Sequence, residues 1–60
     1  MPRDSSIIDL AMELRHETAR AYLVHDGRKD VWLPKSLVEY DERDKVFTMP
    51  EWLAQREGLI

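Results

Sequence analysis

The stretch that decides the fold lies mid-chain and reads Val31-Trp32-Leu33-Pro34-Lys35-Ser36-Leu37-Val38-Glu39-Tyr40. The apolar residues 31–33 predict one strand, and a second strand is predicted from Val38. Pro34 fixes its own φ and holds the preceding residue in an extended conformation, so it predicts a tight turn between the strands. Leu37 is expected to fold back under this turn and close it. The stretch predicts architecture and carries no recognisable catalytic chemistry.

The length and the cysteine content limit how the domain can be stabilised. The chain has 60 residues, enough for one small domain, with no cysteine and two histidines. A domain of this size buries about 60% of the surface that its unfolded chain exposes, so disulfides, a metal or oligomerisation often add stability. Disulfides and thiolate metal sites are excluded. We therefore expect homodimerisation or docking on a protein partner, with no cofactor and no metal.

The charge balance argues against a dedicated nucleic-acid-binding domain. The net charge is −3, from nine basic and twelve acidic side chains spread along the chain, whereas nucleic-acid binding depends mainly on neutralising phosphates. No apolar run approaches the roughly 20 residues of a membrane span, and the N-terminus lacks a signal-peptide pattern. Together with the lack of cysteine, this predicts a soluble, cytoplasmic protein with no membrane association.

The first part of the chain is predicted to form a strand that pairs with the central stretch. Residues 1–6 lack any periodic pattern and are expected to form a disordered tail, followed by a single β-rich domain over 7–60. Residues 8–14 alternate apolar and polar side chains with period two, which favours a half-buried strand. The same residues include good helix formers and Ser6 could cap them, so a helix over 7–15 stays open as the alternative.

The remaining strands are predicted from their composition and their turns. A bend or bulge is predicted at 16–18, followed by a strand over 19–24. Asp26-Gly27 is a strong hairpin signal, because glycine tolerates the positive φ of tight turns. Further strands are predicted over 38–40 and 45–49, on either side of a charged loop.

A short helix is predicted at the C-terminus. Pro50 suits its start and Gly58 its end, so it should span about 51–57. Trp52 and Leu53 are expected to dock it on the sheet. The predicted fold is therefore mainly β (α+β): a small antiparallel sheet of four or five strands, bent toward a barrel, with one short C-terminal helix.

Part of the central stretch resembles the end of an SH3 domain. The segment Leu33-Pro34-Lys35-Ser36-Leu37-Val38-Glu39 is similar to the turn that precedes the last SH3 strand. The aromatic Ala-Leu-Tyr-x-Tyr stretch and the Trp-Trp pair of SH3 domains are absent, so binding of proline-rich peptides is not implied. The resemblance implies a small, strongly bent sheet.

A broader pattern is similar to a family of small phage and prophage proteins. Its parts are His16-Glu17-Thr18-x-x-Ala21, Val31-Trp32-Leu33-Pro34-Lys35-Ser36 and Thr48-Met49-Pro50-Glu51-Trp52-Leu53-Ala54, followed by Gly58-Leu59. The resemblance covers residues 16–60 and implies a phage-related context. It supplies no catalytic residue.

Catalytic or metal chemistry has few candidates. His16 and His25 would need to converge with carboxylates such as Asp30 to act in hydrolysis or to hold a metal. The acidic group over 39–44 lacks the glycine and the ligand spacing of a calcium loop. Ser36 has no predicted base beside it and is interpreted as a turn residue.

The most informative set of side chains combines aromatic rings and cations: Arg20, Tyr22, Arg28, Lys29, Trp32 and Lys35. Aromatic platforms beside cations are how small barrels hold single-stranded nucleic acid. The alternative interpretation is a core Trp32 with solubilising cations. The preferred function is a non-catalytic protein-binding accessory module of phage or prophage origin, whose exposed strand edges could pair with another chain. The alternative is a weak single-stranded nucleic-acid-binding module that uses these six residues.

Overall fold

The computed structural model describes residues 6–60, over which the chain forms six strands and one helix. These elements are β1 Ile7–Ala11, β2 Glu13–Glu17, β3 Ala21–His25, β4 Asp30–Pro34, β5 Glu39–Asp41, β6 Val46–Pro50 and α1 Glu51–Arg56. They build two three-stranded antiparallel sheets, in the orders β1-β6-β5 and β2-β3-β4. The prediction of a mainly β fold with one short C-terminal helix is confirmed, and the sheets do not close into a barrel.

The predicted disordered tail falls almost wholly outside the described residues. Only Ser6 of that segment is described, and its carbonyl accepts a hydrogen bond from the Glu51 N–H at 2.9 Å. This bond joins the start of the described chain to the first turn of α1.

Strands β1 and β2 are one extended segment that bends at Met12. Met12 is buried and Ile8, Leu10 and Leu14 are half-buried against the core, whereas the side chains between them are exposed. The strand prediction is confirmed and the helix alternative is wrong, because period two places these apolar residues on one face of an extended chain. The bend or bulge predicted at 16–18 is replaced by two irregularities on either side of that segment. A register shift lies between Leu14 and His16, and a bend follows at 19–20.

This segment pairs through opposite edges on the two sides of the bend. The Met12 N–H donates to the Lys45 carbonyl at 3.4 Å, on the β6 side. The next residue, Glu13, lies opposite His25 of β3. Since successive residues of a strand direct their backbone groups to opposite edges, the two sheets form one continuous ladder in the order β5-β6-β1/β2-β3-β4.

The core lies between the two halves of this bent ladder and beneath α1. Its largest fully buried side chains are Phe47, Leu33, Met49, Leu53 and Val24. In α1, Leu53 and Ala54 are buried, so the predicted docking role of Leu53 is confirmed. Trp52 is 47% exposed, and its predicted docking role is wrong. On a helix of six residues the buried stripe is narrow, and here it runs through the two residues that follow Trp52.

The helix ends at Gly58 in a Schellman motif. Gly58 has φ of 73°, its N–H donates to the Gln55 carbonyl at 3.1 Å, and the Leu59 N–H donates to the Ala54 carbonyl at 2.8 Å. This pair of bonds satisfies carbonyls that the helix leaves free, and the positive φ favours glycine. The prediction that Gly58 ends the helix is confirmed.

The turn before β4 forms as predicted, whereas the turn after β4 differs from its prediction at Leu37. Strands β3 and β4 form the predicted hairpin, with Gly27 at φ of 103° and Leu23 opposite Trp32. In the turn after β4, the Leu37 N–H donates to the Pro34 carbonyl at 3.1 Å. Leu37 is nevertheless 41% exposed and Val38 is buried in its place. The expectation that Leu37 closes the turn from below is wrong, because the chain re-enters the core one residue later.

Candidate functional site

The two aromatic residues of the predicted nucleic-acid site lie on opposite faces of their sheet. Trp32 lies opposite Leu23, and Tyr22 lies opposite Leu33. Because side chains alternate along a strand, the two rings project in opposite directions. Trp32 is 50% exposed on the outer face, where its ring lies nearly perpendicular to the His16 ring at a centroid distance of 6.3 Å. Tyr22 is half-buried on the inner face.

The four cations of the predicted set are also dispersed. The Lys35 Nζ lies 5.1 Å from the centroid of the Tyr22 ring and 2.5 Å from a carboxylate oxygen of Glu17. Arg20 lies in the bend that precedes β3, whereas Arg28 and Lys29 lie beyond the opposite end of that strand. A five-residue strand spans roughly 17 Å. Of the six predicted residues, the structure brings together Arg20, Tyr22 and Lys35 at one end of β3, where the Lys35 N–H donates to the Arg20 carbonyl at 2.8 Å. Arg28 and Lys29 lie at the other end of that strand.

The histidines take part in local contacts on the outer face. The His25 Nδ1 lies 2.9 Å from the Asp30 Oδ1, and the Arg15 Nε lies 3.8 Å from the same oxygen. Over residues 6–60 no group of three His, Cys, Asp or Glu side chains is placed to hold a metal ion. His25 and Asp30 therefore form a local polar cluster together with Arg15.

The acidic loop between β5 and β6 uses one carboxylate to close its own turn. The Asp41 Oδ1 accepts hydrogen bonds from the Arg43 N–H at 2.9 Å and from the Asp44 N–H at 3.3 Å. A carboxylate that bonds to the backbone two and three residues ahead is a common turn device. This geometry fits a solvated hairpin.

The concave surface of greatest interest is an open cleft of about 990 Å³ beside β2. It lies between β2 and the β5–β6 hairpin, and its lining includes Leu14, Glu17, Tyr22, Tyr40, Glu42 and Lys45. The bend at Met12 creates it, because β6 leaves the shared strand there and turns back toward β5. Strand β2 consequently continues past the end of β6 with one side uncovered.

Aromatic rings form the floor of the cleft. Tyr40 lies opposite Phe47 in the β5–β6 ladder, and their rings stack at a centroid distance of 4.4 Å. The Tyr22 ring approaches them from the other sheet, at 5.6 Å from Phe47 and 5.8 Å from Tyr40. Phe47 is fully buried, whereas both tyrosines are half-buried. Among residues 6–60 no hydrogen-bond partner is recorded for either phenol hydroxyl, so both can bond to a ligand.

The unpaired edge of β2 forms one wall of the cleft. The Thr18 N–H donates to the Ala21 carbonyl at 2.9 Å, and His16 lies opposite Leu23, so these positions direct their backbone groups toward β3. By alternation, the backbone N–H and C=O groups of Leu14 and Glu17 point away from β3, on either side of the register shift. Within the described part of the chain, no strand pairs with that edge.

The charge of the lining is negative. Four carboxylates line the cleft, those of Glu13, Glu17, Asp26 and Glu42, against the single ammonium of Lys45. Glu17 is bridged to Lys35, and Glu13 is bridged to Arg15 at 3.7 Å. The Lys29 N–H and then the Arg28 N–H lower the pKa of Asp26 from its ordinary value of 3.8, because both donate to its carboxylate. The cleft therefore carries an excess of negative charge at neutral pH.

The sequence predicted only part of this site. Tyr22 and Lys35 were identified, whereas Leu14, Tyr40 and Glu42 were not assigned to a site. The only available signal was that both tyrosines of the chain fall in predicted strands. Their meeting on one floor depends on a contact between the two sheets, which local sequence does not encode.

Comparison of the chain with protein-family models, with curated proteins and with solved structures finds no match. Within residues 6–60 no helix is long and apolar enough to cross a membrane. The resemblance of residues 16–60 to small phage and prophage proteins stays a prediction. The functional conclusions that follow rest on the cleft and on the free edge of β2.

Proposed function

We propose that this chain is a non-catalytic protein-binding module that holds a partner by adding one of the partner's strands to the free edge of β2. The observation that carries this proposal is the unpaired edge of β2, which forms a wall of an open cleft with an aromatic floor. In strand addition, main-chain hydrogen bonds supply affinity, and pockets for alternate side chains supply specificity. The cleft offers both kinds of contact in one place.

The other outer edges of the ladder are less suited to this role. The edge of β4 ends at Pro34, which has no N–H to donate, and its carbonyl already accepts a bond from Leu37. Strand β5 has only three residues, and short edge strands are a common way to prevent pairing. The edge of β2 has neither form of protection, and its one irregularity is the register shift between Leu14 and His16. Over the described part of the chain, strand β1 also has one unpaired edge, but of its residues only Ala11 lines the cleft. We therefore place the partner on the edge of β2.

The size of the domain supports a partner-dependent role. A chain of 60 residues without cysteine has a small core, and a bound partner stabilises the folded state by mass action. The resemblance of residues 16–60 supports an accessory or adaptor role of phage or prophage origin. The cysteine-free composition supports a cytoplasmic setting.

Single-stranded nucleic-acid binding has less support. Its predicted aromatic platform would need Trp32 and Tyr22 on one surface, and they lie on opposite faces of the sheet. Its cations are separated along β3, and the surrounding cleft is negative. A strand from a protein partner meets none of these obstacles.

The test uses selection from a random peptide library on the immobilised protein, followed by two variants of Glu17. Glu17→Ala removes the carboxylate and its bridge to Lys35 but keeps the backbone N–H that faces the cleft. Glu17→Pro removes the same carboxylate and also that N–H, at a position whose N–H is not used by β3. Amide NMR spectra of both variants would establish that the β2–β3 ladder is retained.

We expect enriched peptides that bind the wild type and Glu17→Ala but bind Glu17→Pro at least tenfold more weakly. A lost main-chain hydrogen bond and a blocked edge would together account for that difference. Peptides that bind Glu17→Pro as well as Glu17→Ala would overturn the proposal, since their binding would not use the edge. A selection that yields no enrichment would also overturn it.

A further inference from the structure

We infer that the strand accepted by the β2 edge is basic, with lysine or arginine side chains directed onto the tyrosine floor of the cleft. This inference rests on the proposed function and adds the chemistry of the partner to it. It follows from three features of the cleft: the direction of its side chains, a cation already bound at one end, and the imbalance of its charges.

The first feature is the geometry of an added strand. Leu14 and Glu17 share the inner face of the sheet with Tyr22, which lies opposite Glu17 in the register. A strand paired to this edge would alternate its side chains between that inner face and the outside. Every second side chain of the partner would therefore lie over the cleft floor.

The second feature is an intramolecular example of the expected contact. Lys35 places its ammonium over the Tyr22 ring, at 5.1 Å from the centroid, while also bonding the Glu17 carboxylate. A cation over an aromatic face that also meets a carboxylate gains from both interactions. Tyr40 and Glu42 supply the same two kinds of group to the cleft, and among residues 6–60 no cation is recorded against either of them.

The third feature is charge complementarity. Of the four lining carboxylates, those of Glu17 and Glu13 are bridged to Lys35 and Arg15. Asp26 and Glu42 then face the single ammonium of Lys45, and His25 is paired with Asp30 at 2.9 Å. A basic strand reduces this imbalance, whereas an acidic strand adds to it, and like charges in close contact disfavour binding. The charge of the cleft therefore selects among partner strands that the backbone edge alone would accept equally.

The test titrates the labelled protein with three synthetic ten-residue peptides of alternating pattern. They carry lysine, glutamine or glutamate at every second position, with valine between, and binding is followed by amide NMR. We expect the lysine peptide alone to shift the signals of Leu14, Glu17 and Tyr40, and added salt to weaken this binding.

Two carboxylate variants of the β5–β6 loop supply matched controls. Glu42→Gln removes a carboxylate that lines the cleft, whereas Asp44→Asn removes one from the same exposed loop that does not. We expect about two- to fivefold weaker binding of the lysine peptide by Glu42→Gln, the effect of one exposed ion pair, and no change for Asp44→Asn. Equal effects of the two substitutions would overturn the inference, since they would report net charge only.

The outcomes separate this inference from the proposed function. If the glutamine or glutamate peptide binds as tightly as the lysine peptide, and Glu17→Pro abolishes that binding, the edge is used and the inferred basic partner is wrong. If no peptide binds and the random library yields none that Glu17→Pro excludes, both the partner chemistry and the function are wrong.

Discussion

Substitution of Gly58 by alanine tests how the C-terminal helix is held on the sheet. Gly58 has φ of 73° in the Schellman motif that ends α1. A Cβ built at this position would lie 2.7 Å from the Lys29 Nζ and 3.8 Å from the Lys29 Cε. Alanine would therefore meet two costs, a left-handed backbone conformation and a close contact with the β3–β4 hairpin.

The backbone cost is the larger of the two. A left-handed conformation costs an L-residue about 1–2 kcal/mol, whereas the contact involves the far end of a flexible side chain that can move aside. We expect Gly58→Ala to lower the free energy of unfolding by about 1–2 kcal/mol. With a urea m-value of about 1 kcal/mol per molar for a chain this small, the denaturation midpoint should fall by about 1–2 M.

Urea denaturation followed by tryptophan fluorescence measures this change, and two further variants identify its cause. Gly58→Asn should be less destabilising than Gly58→Ala, because asparagine tolerates the left-handed region. In a Lys29→Ala background, Gly58→Ala should cost nearly as much as in the wild type, with a coupling below about 0.5 kcal/mol. A cost that disappears in that background would refute the argument from backbone strain, as would equal costs for alanine and asparagine.

Three other predictions concern the core, the hairpin and an exposed ion pair. Leu53→Ala should lower the free energy of unfolding by about 2–5 kcal/mol, because it removes a buried leucine side chain. Trp52→Ala, measured in the same urea titration, should cost much less, because that side chain is 47% exposed. The pKa of Asp26 is lowered by two backbone N–H groups that bond its carboxylate, so its contribution is complete above pH 3.8 and is lost as the pH falls through the lower folded-state pKa. Asp26→Ala should therefore be most destabilising at pH 7, and the difference from wild type should shrink toward pH 2; a constant difference would contradict this. Lys35→Gln should cost no more than about 1 kcal/mol, because its bridge to Glu17 is exposed to solvent; a larger loss would indicate that the pair is structural.

Local signals predicted most of the elements. Period two over 8–14 gave the first strand, Asp26-Gly27 gave the hairpin, and Pro50 with Gly58 gave the helix and its end. Each of these depends on backbone preferences or alternation within a few residues. The central stretch also predicted two strands with a turn between them, and the structure has β4 ending at Pro34 and β5 beginning at Glu39.

Faces and contacts between sheets were predicted less well. The hairpin register places Trp32 opposite Leu23 and not opposite Tyr22, and a one-residue difference in register reverses the face of a side chain. The Asp26 N–H donates to the Lys29 carbonyl at 3.1 Å and closes the loop. This pairing sets the register of the hairpin, and the register determines the faces of Tyr22 and Trp32. The cleft is different, because Tyr40 and Tyr22 meet only through the packing of one sheet on the other.

The shared strand has a consequence for how the protein unfolds and how it tolerates insertions. The apolar side chains of this strand stay on its core-facing side through the bend, namely those of Ile8, Leu10, Met12 and Leu14. The alternation along this one segment therefore decides which side chains of both sheets face the core. An insertion of a single residue after Met12 would turn the apolar side chains of one half toward solvent, whichever half kept its place. Because the two sheets share this strand, we expect them to unfold together, and the most protected amide protons of both should exchange with solvent in a single cooperative event.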